Sequence, residues 1–246
     1  IAPSNIAGAL GARAGLFECG EIRVHPTGSV TVFTGSHSHG QGHETTFAQV
    51  VASRLGMDPS QVDIVHGDTG RVPFGMGTYG SRSISVGGAA IMRALDKIEA
   101  KAKKIAAHLL EVSEKDIEFD VDRFQVKGLP EKVKTMKEIC WAAYHGVPEG
   151  MEPGLEAVDY YDPPNMTYPF GAYVCVMDID VDTGVTEIRR FYALDDCGTR
   201  INPMIIEGQV HGGLTEALAV ALGQEIAYDD MGNCKTGTLM DFFLPT

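Results

Sequence analysis

The sequence lacks any excess of basic residues: 20 Lys and Arg stand against 33 Asp and Glu, a formal net charge of -13. So acidic a chain has no basic stripe with which to neutralise a nucleic-acid backbone, and an anionic membrane surface repels it. It has no apolar run long enough to span a bilayer and no legible signal peptide. Its five cysteines (Cys19, Cys140, Cys175, Cys197 and Cys234) are odd in number and far apart, with no C-x-x-C pair. That spacing excludes a disulfide frame and a zinc knuckle, and points to a reducing, cytoplasmic compartment. A serine nucleophile elbow and a P-loop lysine are also missing. Any anionic ligand must then be gripped locally, by backbone N–H groups and single arginines.

What is present is an ordinary globular composition, 44% hydrophobic and 22% charged over 246 residues, enough for two lobes with a proper core. Alternation in Glu21–Val24 and Ser29–Phe33 about Pro26-Thr27-Gly28 predicts a hairpin. Helical spacing runs through Glu44–Leu55, with Phe47, Val50, Val51 and Leu55 on one face and Gly56 as its stop. Val62–Val65 reads as a strand and Ser85–Val112 as the longest helix, whose bare start at Gly87-Gly88 invites close packing. A second hairpin follows at 117–126, then a helix capped by Thr135 with Glu138 in the capping-box position. The Pro/Gly-rich stretch 147–154 is the best linker, so lobes are expected at 1–148 and 149–246, the second incomplete at its C-terminus. Beyond it come strands at 171–181 and 185–194 and a helix Pro203–Leu222 capped by Asn202. Two short segments about a turn at 230–233 complete the pattern. Hairpins with separate helices predict an α+β fold of mixed and antiparallel sheets.

Three donor-rich turns carry the chemistry. Gly40-Gln41-Gly42-His43-Glu44-Thr45 opens a helix and exposes N–H groups at its positive end. Gly75-Met76-Gly77-Thr78-Tyr79-Gly80-Ser81-Arg82-Ser83 combines glycines with hydroxyls and a cation. Asp196-Cys197-Gly198-Thr199-Arg200-Ile201-Asn202-Pro203 leads into the last helix, where Gln209 stands two turns on. Together they predict a large, phosphate-bearing ligand held from several sides.

Plainer readings compete with some of these motifs. Gly75-x-Gly77-x-x-Gly80 has the letters of a dinucleotide turn, but Arg71-Val72-Pro73-Phe74 is no buried strand and no acid follows at a second strand. His37, His39 and His43 lack the spacing of a zinc helix, so His43 is expected to donate to a ligand oxygen instead. Asp178-x-Asp180-x-Asp182 has Thr183 where a calcium loop turns on glycine. Asp195 and Asp196 beside Cys197 disfavour a thiolate nucleophile. Asn202 and Gln209 are amides suited to heterocycle edges, with a helix-packing hydrogen bond the even alternative for Gln209.

Taken in order, the three turns and the run Glu207-Gly208-Gln209-Val210-His211-Gly212-Gly213 resemble the molybdenum-binding large subunits of the xanthine oxidase family. Tyr160-Tyr161-Asp162-Pro163-Pro164-Asn165 and Arg190-Phe191-Tyr192-Ala193-Leu194-Asp195-Asp196-Cys197-Gly198 narrow the likeness to its aerobic carbon monoxide dehydrogenases, over nearly the whole chain from Glu21. The resemblance implies two lobes holding molybdopterin cytosine dinucleotide. It implies that Gln41, Gly42 and His43 lie on the cofactor, and that Thr78, Tyr79, Gly80, Ser81, Arg82 and Ser83 hold its pyrophosphate and nucleotide. Cys197, Thr199, Asn202 and Gln209 would meet the pterin or cytidine side.

The family oxidises CO with water to CO2 at a copper–molybdenum centre. It passes electrons to a [2Fe–2S] small subunit and an FAD medium subunit, in a dimer of heterotrimers in the cytoplasm or at the inner face of the membrane. The copper-binding cysteine loop has no counterpart here, and the base glutamate is expected outside this chain. No catalytic residue is therefore nominated, and the chain is expected to be a fragment inactive by itself. A related hydroxylase acting on a purine or aldehyde, and a non-catalytic nucleotide-binding module, are the alternatives.

Overall fold

The computed structural model describes residues 16–165 and 167–245. They fall into two compact units, one ending at Phe170 and the other beginning at Gly171. The first grows from the predicted hairpin, β1 (Glu18–Val24) and β2 (Val30–Thr34), in which Ile22 lies opposite Val32 and Val24 opposite Val30. These four apolar side chains are buried, as one parity of a half-buried sheet should be. The chain then crosses through α1 (His43–Leu55) to β3 (Val62–Val65), which runs parallel to β2. A parallel neighbour needs such a crossover. β7 (Leu155–Tyr161) pairs antiparallel with the other edge of β1, giving the order β3-β2-β1-β7.

Two helices carry the core of this unit. α1 buries Phe47, Val51 and Leu55, and α2 (Ala89–Leu110) buries Ile91, Leu95, Ile98 and Ile105. Each such side chain contributes roughly 1.5–3 kcal/mol through removal of apolar surface from water. A π-helical turn, Ser83–Gly88, precedes α2. The helix reaches the sheet backbone because Gly20 has no side chain; a Cβ there would stand 2.6 Å from the Ile91 nitrogen. Past α2, β4 (Ile117–Asp120), β5 (Arg123–Val126) and β6 (Leu129–Thr135) form a second sheet whose Phe124 and Val126 join the same core. α3 (Met136–His145) follows, and its Tyr144 hydroxyl donates to the Val24 carbonyl at 2.7 Å.

Compactness divides the chain at 170/171 and not at the expected 148/149. The cause is β7: its partner is β1, so the residues beyond the Pro/Gly-rich stretch return to the first sheet. In the second unit β8 (Phe170–Ile179) and β9 (Thr186–Asp196) pair about the 180–184 turn, where Asp180 Oδ1 accepts from the Asp182 and Thr183 N–H groups. α4 (Pro203–Leu222) starts as predicted, with Asn202 Oδ1 accepting from the Ile205 N–H at 3.2 Å. The last expected pair of segments reduces to a single bridge between Tyr228 and Cys234, because Asp229 instead folds the intervening residues onto its own carboxylate. No helix among the described residues is long and apolar enough to cross a membrane.

The start of α3 yields a test. Thr135 Oγ1 accepts from the Glu138 N–H, and the Glu138 carboxylate accepts from the Thr135 N–H at 2.9 Å and from Lys134 at 2.9 Å. The Thr135 N–H, with Lys134 second, pulls the Glu138 carboxyl from 4.5 to about 2. A depressed carboxyl stabilises the fold above its unfolded pKa and ceases to do so as pH falls through the folded one. Half-exposed, the group contributes less than about 1 kcal/mol. Glu138→Gln is expected to lower the urea midpoint near neutral pH. That difference should close between pH 4.5 and about 2.

Candidate functional site

Two of the three predicted turns meet in the first unit, at their roots. A Cβ on Gly35 would stand 2.0 Å from the Gly75 Cα, and one on Gly75 would stand 2.3 Å from the Gly35 Cα. The loop leading to α1 and the loop leading to α2 are thus packed backbone on backbone, which only glycine permits. Gly87 adds a third contact, since a Cβ there would meet Ser36 Oγ at 2.5 Å. The bare helix start seen in the sequence is therefore the seat of the 35–43 loop.

The first loop delivers the start of α1. Gly42 is the N-cap in the left-handed region, φ 74°, and offers no side-chain cap. His43 is buried and stacks on Phe47, with ring centroids 5.5 Å apart. Its Nδ1 is buried and has no hydrogen-bond partner among the described residues. Burial lowers the His43 pKa, outweighing Glu44, so the imidazole is neutral near pH 7. Gln41 turns back onto the loop: its Oε1 accepts from the His39 N–H, and its Nε2 lies 3.4 Å from His39 Nδ1. Outside this turn runs a chain that sequence reasoning did not find, Glu44 Oε1 to His66 Nε2 at 2.7 Å and His66 Nδ1 to His37 Nδ1 at 3.0 Å. The Glu44 carboxyl is held below its ordinary range, first by its own backbone N–H and then by His66. No group of three or more His, Cys, Asp or Glu suited to a metal ion occurs among the described residues.

The second loop is tightly wound. Gly77, Gly80 and Ser81 all have positive φ, 82°, 55° and 55°, and for Ser81 that conformation costs ~1–2 kcal/mol. Such strain at a turn is a pointer to function. Thr78 Oγ1 and Ser83 Oγ lie 2.9 Å apart, and Tyr79 sits at the surface with the Arg82 guanidinium 5.4 Å from its ring centre. The strand that a Rossmann turn needs is absent ahead of Gly75.

Arg82 departs from the expectation that it offers charge to a ligand. Its side chain is 1% exposed, and Nη1 donates to Glu18 Oε2 at 2.8 Å and to the Gly77 carbonyl at 2.8 Å. Nη2 donates to the Leu16 and Phe17 carbonyls at 2.9 and 3.1 Å. The cation is an internal strut, and what the turn presents outward is its backbone and hydroxyls. Glu18, also missed, shares the core-facing parity of β1 with Ile22 and Val24. A carboxylate in that register demands a buried cation, and that was the signal available in the sequence.

In the second unit, Cys197 and Thr199 lie in the turn between β9 and α4, where the Gly198 N–H donates to Asp196 Oδ1 at 2.9 Å. Asn202 spends its side-chain oxygen on the helix cap, and Gln209 is exposed on α4. Burial pushes the Cys19 and Cys140 thiols up to about 11, which disfavours their thiolates near neutral pH. A depression of about 600 Å³ lined by Phe17, Phe74, Arg93 and Tyr160 lies on the first unit, but none of the predicted site residues lines it.

Comparison with known proteins adds an independent line. Residues 3–246 match the family described as the molybdopterin cofactor-binding domain. The chain is 67% identical over 231 residues to the carbon monoxide dehydrogenase large chain of Afipia carboxidovorans, covering 94% of this chain and 29% of that one. It is 60% identical over 244 residues to the carbon monoxide dehydrogenase large chain of Hydrogenophaga pseudoflava, covering 99% and 30%. A crystal structure of Cu,Mo-CO dehydrogenase in the carbon monoxide reduced state resembles it with a TM-score of 0.88 at 67% identity, over 94% of this chain and 29% of that one. The chain thus spans about three-tenths of the length of these relatives.

The meeting of the two loops predicts a ranking of glycine substitutions. Gly35→Ala forces the Gly75 backbone away and is expected to cost ~3 kcal/mol or more. Gly40→Ala, at φ 100° but facing open space, pays only backbone strain of ~1–2 kcal/mol. Denaturant midpoints of the two variants check the order; equal midpoints would mean that the loops do not touch at Gly35.

Proposed function

The chain belongs to the molybdopterin cofactor-binding domain family, and from that premise we propose that it is part of the molybdenum-bearing large subunit of a carbon monoxide dehydrogenase. Identity of 67% to one such large chain carries this reading. The activity belongs to a longer polypeptide, of which this chain matches about three-tenths.

In this reading the first unit takes the phosphate side of molybdopterin cytosine dinucleotide. The uncapped start of α1 offers backbone N–H groups, Gln41 an amide, and His43 a buried, unpartnered nitrogen. A buried polar atom without a partner fits a ligand oxygen, and a neutral imidazole can meet it without altering the charge of the site. Gly42 keeps the approach open. Thr78, Tyr79, Gly80, Ser81 and Ser83 hold the pyrophosphate and nucleotide through N–H and hydroxyl groups, while Arg82 fixes the turn from inside. Donors of this kind grip an anion locally despite a net charge of -13. Cys197, Thr199, Asn202 and Gln209 are the second unit's candidates for the pterin or cytidine side.

When bound, the group supplies the redox centre at which CO and water become CO2, two protons and two electrons. In this reading copper would be held by a cysteine outside this chain, and a [2Fe–2S] small subunit and an FAD medium subunit would take the electrons, in a dimer of heterotrimers. The free cysteines suit a reducing cytoplasm.

The test uses the full-length subunit expressed with its partners. Molybdenum and acid-released CMP are expected in equimolar amounts, together with CO-dependent dye reduction. Gln41→Ala is expected to lower both contents in parallel while the thermal midpoint stays in place. Molybdenum with oxidation of a purine or aldehyde and none of CO would contradict the substrate; absence of molybdenum and nucleotide would overturn the whole reading.

A further inference from the structure

We propose that Glu18 is a positioning residue that fixes the two glycine turns against each other, and so sets the affinity for the phosphate-bearing ligand. The inference rests on the reading above that both turns touch that ligand.

Glu18 is fully buried at the head of β1, where a lone carboxylate would be untenable. Each of its oxygens is engaged. Oε1 accepts from the Cys19 N–H at 3.0 Å. Oε2 accepts from Ser36 Oγ at 3.4 Å and from Arg82 Nη1 at 2.8 Å. Ser36 belongs to the loop that leads to Gln41-Gly42-His43, and Arg82 to the turn 77–83. One carboxylate oxygen is thus the shared acceptor for both loops.

The loops have little slack with which to compensate. Gly35 and Gly75 are already in backbone contact, and Gly87 lies directly beneath Ser36. The same Nη1 that reaches Glu18 also holds the Gly77 carbonyl, so a shift of the guanidinium moves the first residue of the turn. Nη2 is tied to the Leu16 and Phe17 carbonyls, so the guanidinium cannot follow a displaced carboxylate without losing those bonds. A change at residue 18 is therefore transmitted to Gly77 and to Ser36 together. No described atom of Glu18 is available to the ligand, so its influence is positional.

The experiment uses the full-length subunit with its partners and three variants, Glu18→Gln, Ser36→Ala and Phe124→Ala. Glu18→Gln keeps the shape of residue 18 but replaces one acceptor by a donor and strips the charge from the pair. Ser36→Ala cuts only the link to the first loop. Phe124→Ala opens a cavity in the β4–β6 sheet and serves as a purely structural control. Molybdenum and CMP retained after prolonged dialysis are read at a temperature where circular dichroism shows every compared variant folded. Glu18→Gln is expected to retain about tenfold less than the unsubstituted enzyme, and Ser36→Ala several-fold less. Phe124→Ala is expected to retain its full complement despite a lower thermal midpoint.

Full retention by Glu18→Gln would overturn the proposal. If Glu18→Gln does not fold, full retention by Ser36→Ala overturns it. Loss in Phe124→Ala that scales with its thermal midpoint like the others overturns it as well. An unsubstituted enzyme without molybdenum or nucleotide would instead sink the parent reading, which keeps the two failures apart.

Discussion

The buried pair of Glu18 and Arg82 is the constraint on which the candidate site depends. Both side chains are almost wholly removed from water. Such a pair adds little net stability over an apolar equivalent, yet losing one partner costs about 3–5 kcal/mol because the other is left charged in the interior. That is a large part of the 5–15 kcal/mol that holds a typical domain together. What the pair supplies is direction. A guanidinium with a fixed fork ties a carboxylate, the Gly77 carbonyl and two carbonyls at the head of β1 into one arrangement. Apolar side chains of equal volume would fill the space without fixing a turn.

Around that joint, small residues do the rest. Gly20 lets α2 settle on the β1 backbone, and Gly35, Gly75 and Gly87 let two loops pack where any side chain would intervene. The product is a pair of turns carrying hydroxyls, strained backbone at Ser81, and an uncapped helix start beside a buried, neutral histidine. The acid nearest that start, Glu44, is tied to His66, which limits its competition with an incoming anion. An acidic protein can in this way present a locally electropositive surface made of backbone dipoles.

Much of this was legible from local pattern. The β1–β2 hairpin, α1 with Gly56 as its stop, the capping box at Thr135 and the Asn202 cap all follow from spacings within a few residues. The glycine turns were legible too, because turn chemistry is local. β7 was not, since its pairing with β1 spans more than a hundred residues and a Pro/Gly-rich stretch stands before it. The expected division at 148/149 failed for that reason. Arg82 looked like a ligand-facing cation because sequence shows charge but not its partner, and Glu18 escaped notice because its partner lies 64 residues away. The final pair of segments shares only one bridge, because Asp229 closes a compact turn between them.

The central claim, that one buried carboxylate holds both turns, is tested most directly by amide hydrogen exchange on the Glu18→Gln chain compared with the unsubstituted one. The account expects residues 36–43 and 77–83 to lose protection together, while β4, β5 and β6 exchange as before. Loss confined to one turn, or spread evenly over the first unit, would contradict it.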